Sequence, residues 1–175
     1  AGSTIAAKAF AQHGKSLADH VYRTSSLSIL RCPDLKLTSA PGGSDGTTGQ
    51  PATISLLAVA FDEARTESPG RRLTKKTCAI IRAALEPLAA GRIGRYDDEF
   101  EVRAFGDNLT KWGTSVVLIE TGPWPSTEPD PYLVRLNFVA LMAALDALAT
   151  GRVAQADPAR YETLPINESD LFFLL

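Results

Sequence analysis

The sequence predicts an α/β domain, a sheet with parallel central strands and helices on both faces. Residues 114–119, TSVVLI, form a β-branched-rich run between Gly113 and Gly122 that is too short for a helix. Such a run reads as a strand buried on both faces. Residues 52–61, ATISLLAVAF, are nearly as unbroken in apolar character and read as a second central strand. Residues 71–90 and 132–150 place apolar side chains three and four apart, the period of a helix. Strands alternating with helices give the α/β class.

Taken in order, residues 3–22 have small or apolar groups at Ile5, Ala9, Leu17 and Val21, with Ser3 or Thr4 as cap, and read as a helix weakened near Gly14. Residues 27–30 read as a short strand, and 33–51 have the glycine and proline content of a loop. After the 52–61 strand, residues 62–70 are polar and turn. The 71–90 helix sets Leu73, Cys78, Ile81, Leu85 and Leu88 on one side and stops at Gly91. Its basic pairs, Arg71–Arg72 and Lys75–Lys76, are expected on the solvated side. Four prolines within 123–131 require an irregular connection. The 132–150 helix is apolar nearly all round, so it is expected to pack against the sheet over much of its surface. The last two dozen residues read as an extended tail, and the terminal LFFLL needs a groove or a neighbour to hide in.

At 175 residues the chain is one domain on length, and large enough to bury about 70% of its unfolded surface. The balance of 18 basic and 20 acidic residues gives no reason to expect a nucleic acid or an anionic membrane as partner. No apolar run approaches the length of a membrane span, and no signal peptide is visible. Met142 is the only methionine, so the chain as given is expected to be processed, trimmed or part of something longer. Cys32 and Cys78 could pair or remain thiols, and their separation matches no metal spacing.

Chemistry centres on Glu120. A carboxylate where an interior strand stops, followed by Thr121, Gly122 and Pro123, stands at the strand's carboxyl end, where open α/β sheets carry their sites. The plainer alternative is a strand-end carboxylate that accepts backbone hydrogen bonds or an arginine. Tyr96 and Arg103, upstream, are candidates to line the same cleft. A surface-packed ring and a solvated cation are their ordinary readings. The run Asp97, Asp98, Glu99 and Glu101 could hold a hard cation, although adjacent carboxylates usually form a solvated face. His13 and His20 lie seven apart along a helix, too far to share one zinc easily. The loop GGSDGTTGQ lacks the ending of a phosphate loop. Asn108-Leu109-Thr110 and Asn167-Glu168-Ser169 fit the glycosylation pattern.

Residues 92–122, RIGRYDDEFEVRAFGDNLTKWGTSVVLIETG, with QPATISLLAVAFDEAR upstream and YLVRLNFVALMAALDALATG downstream, resemble the C-terminal half of bacterial zinc carboxypeptidases, the carboxypeptidase A family. The likeness runs from Thr47 to Leu175, leaving residues 1–46 as a poorly matching N-terminal segment. It implies part of the zinc carboxypeptidase fold, with its mixed eight-stranded sheet. The implied activity is zinc-dependent hydrolysis of C-terminal peptide bonds in a secreted or periplasmic setting, with peptide or protein C-termini as partners. Glu120 falls on the family's general base, and Tyr96 is similar in position to the tyrosine that closes over bound substrate. The implied cofactor is zinc, but its ligands are not in this chain. No His-x-x-Glu occurs, residues 35–49 contain no histidine, and the arginines that hold the substrate carboxylate are also missing. A catalytic zinc needs three protein ligands. The resemblance therefore implies a fragment or an inactive relative, with no metal site of its own. The alternative is a non-catalytic peptide- or partner-binding α/β module. The apolar LFFLL and an incomplete sheet both favour self-association.

Overall fold

The structure, a computed structural model, describes residues 25–31, 36–37, 52–122, 124 and 131–168. The expected helix 3–22 with His13 and His20, Cys32, most of the glycine-rich loop, the prolines of 125–129 and the terminal LFFLL lie outside the described residues.

Four strands make the main sheet: β1 (Ser25–Arg31), β3 (Ile54–Ala58), β4 (Ile93–Arg95) and β5 (Ser115–Thr121), in the order β1-β5-β3-β4. The two apolar runs of the sequence are thus its interior strands, as expected of strands without a solvent-facing alternation. The sheet is mixed. β1–β5 and β3–β4 are parallel pairs, and the interior strands β3 and β5 meet antiparallel. β2 (Lys36–Leu37) and β6 (Asn167–Glu168) form a separate antiparallel pair. The segment before residue 47 therefore supplies a strand to the main sheet as well as a partner for β6.

Two long helices follow the interior strands. α1 (Pro69–Ala89) starts on Ser68, whose Oγ accepts from the Arg71 N–H at 3.1 Å, with Pro69 in the first turn where its missing N–H costs nothing. α3 (Pro131–Thr150) packs on α1. Ile54, Leu56, Ala58, Val117 and Ile119 of the sheet, Cys78, Ile81 and Leu85 of α1, and Leu136, Ala140 and Ala144 of α3 form one core. Leu57, Val59 and Val116, with Tyr96, Leu109 and Leu118 against them, form a smaller cluster. Leu109 comes from α2 (Phe105–Lys111), which approaches closely through Gly106: a side chain there would meet Val116 and Val59 at 3.6 and 3.8 Å.

Three expectations are corrected. The tail is not extended throughout: a 3-10 turn (Arg152–Gln155) and the single-turn α4 (Ala159–Glu162) fold back, burying Tyr161 and Leu164 in the main core. Tyr161 Oη accepts the Ala58 N–H at 3.0 Å, and Glu162 bridges Lys75 and Arg95 at 2.6 and 2.7 Å. Arg71 is not on a solvated face but 3% exposed. And α3 buries only Leu136, Ala140, Ala144 and Ala147. By length and composition this helix would suffice to cross a membrane, which the charged and polar residues within it obscure in the sequence.

Candidate functional site

Glu120 is the penultimate residue of β5, between β1 and β3. Val117 and Ile119 face the main core. Alternation along a strand turns Val116, Leu118 and Glu120 to the opposite face, where the smaller apolar cluster sits. Glu120 is level with Leu30 of β1 and Ser55 of β3, and Ser55 is level with Gly94 of β4. At this end β1 and β5 finish while β3 and β4 begin, because the sheet reverses sense between its interior strands.

The carboxylate is 7% exposed. Its backbone sits in the ladder between β1 and β3, and the residues after it tie β5 to the start of β3. The Gly122 N–H donates to the Thr53 carbonyl at 2.8 Å, and the Thr53 and Ile54 N–H groups both donate to the Arg92 carbonyl. Thr121 points to the other face, where its hydroxyl lies 3.1 Å from Asn137 Oδ1. Asn137 is itself held by its Nδ2 donating to the Leu133 carbonyl. The strand end that carries Glu120 is thus bolted to α3 and to the start of β3.

Tyr96 follows β4, its N–H donating to the Leu56 carbonyl at 3.0 Å, and its half-buried ring packs on the Leu57–Val59–Val116 cluster. Tyr96 and Glu120 therefore share one sheet face, with Cα atoms about 12 Å apart from two strand spacings and two residues of rise. Arg103 is exposed, and its guanidinium meets both oxygens of Glu101 at 3.0 and 3.2 Å. That engagement, together with the Arg103 N–H bond to the same carboxylate, holds Glu101 far below the usual range, at about 2. Among the described residues Arg103 bonds to Glu101 alone.

The acidic run is taken up by cations. Arg71 donates to the Arg65 carbonyl and pairs with Asp98, and Asp98 also meets Arg65 Nε at 3.2 Å. Asp97 lies 3.5 Å from Arg65 and accepts the Glu99 N–H. This network anchors the segment just after Tyr96 to the first turn of α1. Asp107 accepts the Glu101 N–H, and its carboxyl is raised by burial first and by Glu101 nearby. The Asn108 sequon lies within α2: its Nδ2 donates to the Val102 and Ala104 carbonyls, while Thr110 is buried and bonds Gly106. Cys78 is a buried thiol whose pKa burial pushes up, so it is poorly suited to act as a nucleophile.

Sequence reading missed Ser55, Asn137 and Arg71. The first two act through strand register and helix docking, which leave no local signal. Arg71 had one: its neighbour Arg72 is exposed, and a basic pair astride a helical period places the two residues about 100° apart, so both cannot share one face.

No family model, curated protein or solved structure matches this chain.

The described residues do not fit a zinc ion. Both histidines fall outside them, and among the described residues no three His, Cys, Asp or Glu side chains converge. The residues that register places beside Glu120 are Leu30 and Ser55, not the histidine or cysteine donors zinc takes.

Proposed function

We propose that this chain is a carboxypeptidase-like α/β module whose ancestral activity is hydrolysis of C-terminal peptide bonds, with Glu120 in the place of the general base. In this reading the four described strands belong to a larger mixed, mostly parallel sheet with helices on both faces. Tyr96 stands at the substrate end of the cleft and Arg103 near its rim. The zinc would have to be held by residues beyond those in this sequence. Without a metal-bound water a carboxylate has no nucleophile to activate, so the chain alone hydrolyses no peptide.

The observation that supports this reading is a nearly buried carboxylate at the end of an interior strand whose backbone is tied to β3 and, through Thr121, to α3. A buried charge costs stability unless fully compensated, and is retained chiefly where chemistry needs it. Glu120→Gln preserves shape and removes the charge. If Glu120 serves chemistry, chemical denaturation gives a Glu120→Gln variant as stable as the parent or more stable, by up to about 2 kcal/mol. A loss of more than about 1 kcal/mol makes it a structural carboxylate and overturns the reading. Elemental analysis is the companion measurement: one zinc per chain surviving dialysis, with peptide turnover, would refute the inactive assignment.

A further inference from the structure

We propose that the outer face of α3 is an isologous contact for a second copy of this chain, with the two helices antiparallel. Val134, Phe138, Leu141, Leu145 and Leu148 recur at intervals of four and three, the spacing of a coiled-coil seam. At 100° per residue they fall within about 80° of arc. Their centre lies about 120° around the helix from Leu136, Ala140, Ala144 and Ala147, which face α1, and Leu141 and Leu148, on the edge nearer α1, are half-buried. Val134, Phe138 and Leu145 are 71, 61 and 56% exposed, and Met142 beside them 48%. One helix thus carries two seams. The mostly alanine seam admits α1, and the seam of large side chains is presented outward.

The flanks of the outer seam say what fits it. Arg135 and Asp146 lie on the same flank, about 100° and 120° around from Val134. They are eleven residues apart, near opposite ends of the seam. In an antiparallel pair like flanks meet, so a two-fold axis beside Leu141 sets Arg135 of each copy level with Asp146 of the other. A parallel pair would set each flank against the opposite one, so Arg135 would meet no Asp146. Both residues are exposed. Among the described residues Arg135 makes no ion pair or hydrogen bond, while Asp146 pairs with Arg152 through Oδ2, leaving Oδ1 to accept. A bilayer is a poorer occupant: the helix's other face is packed on α1, and the flank carries one cation against one anion, not the basic rim of an interfacial helix.

The seam would bury on the order of 500 Å² per copy, the low end for specific association, so the dimer is weak, with a dissociation constant of tens of micromolar. Sedimentation equilibrium over about 1–500 µM tests it. The parent protein is expected to show a monomer–dimer equilibrium. Phe138→Glu and Leu145→Glu should remain monomeric, with unchanged circular dichroism because both sites are exposed. Arg135→Asp should weaken association about tenfold, and Arg135→Asp with Asp146→Arg should recover most of that loss. A parent that stays monomeric overturns the proposal, whether the seam is covered by residues 1–24, by 171–175 or by added phosphatidylcholine vesicles. So does a dimer that survives Phe138→Glu, or one in which the charge exchange restores nothing.

Discussion

The two long helices, packed against each other, invert what their compositions promise. α1 carries five cations, Arg71, Arg72, Lys75, Lys76 and Arg82, yet Arg71 is buried and Lys75 is drawn into bridges with Glu67 and Glu162 at 2.8 and 2.6 Å. α3, almost wholly apolar, leaves Val134, Phe138, Met142 and Leu145 in solvent. A cation near a helix start can be buried if partners converge on it, and an apolar side chain stays exposed when no neighbour is supplied. Hydrophobicity sets what burial is worth; topology decides which residues receive it.

The comparison is broken most directly by truncating matched apolar residues on the two faces of α3. Leu136→Ala, on the α1 side, should lower unfolding free energy by about 2–5 kcal/mol, whereas Val134→Ala on the outer face should change it by no more than about 0.5 kcal/mol in dilute solution. Equal losses in a urea titration would mean that the outer face is covered.

Removing the partner of the buried cation comes next. Asp98→Asn leaves Arg71 with the Arg65 carbonyl and with Arg65's own charge nearby, and should cost roughly 3 kcal/mol. Replacing Arg71 with methionine in the same chain should recover much of that loss, since the uncompensated charge is then gone. Should Asp98→Asn prove neutral, Arg71 must be hydrated in solution and the contrast between the helices is weaker than described.

The smallest effect concerns an exposed pair. Glu101 is held near 2 by Arg103 against an ordinary value of 4.5. A carboxyl whose folded pKa is depressed stabilises the fold above the unfolded pKa and loses that contribution as pH falls through the folded one. The window is therefore between about pH 4.5 and 2, and salt should shrink the effect because both groups are in solvent. NMR titration of the Glu101 carboxyl should give a midpoint near 2 that moves up toward 4.5 in Arg103→Ala. A midpoint already near 4.5 in the parent would show that the exposed pair does not persist in solution.

Much of the scaffold was legible because burial on two faces leaves unbroken apolar runs: 52–61 and 114–119 became the interior strands β3 and β5. Periodicity likewise gave α1 and α3 to within two residues at their starts. The single turn of α4 escaped because four residues carry no period, and its docking depends on Tyr161 reaching the Ala58 N–H across more than a hundred residues of chain. Glu120 was singled out from its place at a strand end, and the structure puts it at the end of β5. That Ser55 stands across from it, and that Tyr96 shares its sheet face, follows from register.

By itself, then, the sequence determined the two interior strands and the two long helices, since local period and composition are properties of neighbours along the chain. Only the tertiary structure decided that the interior strands meet antiparallel, that Arg71 is enclosed while the apolar side of α3 is bare, and what surrounds Glu120. Those outcomes depend on pairing between segments far apart in sequence, where geometry and the competition for partners outweigh each residue's own preference for water.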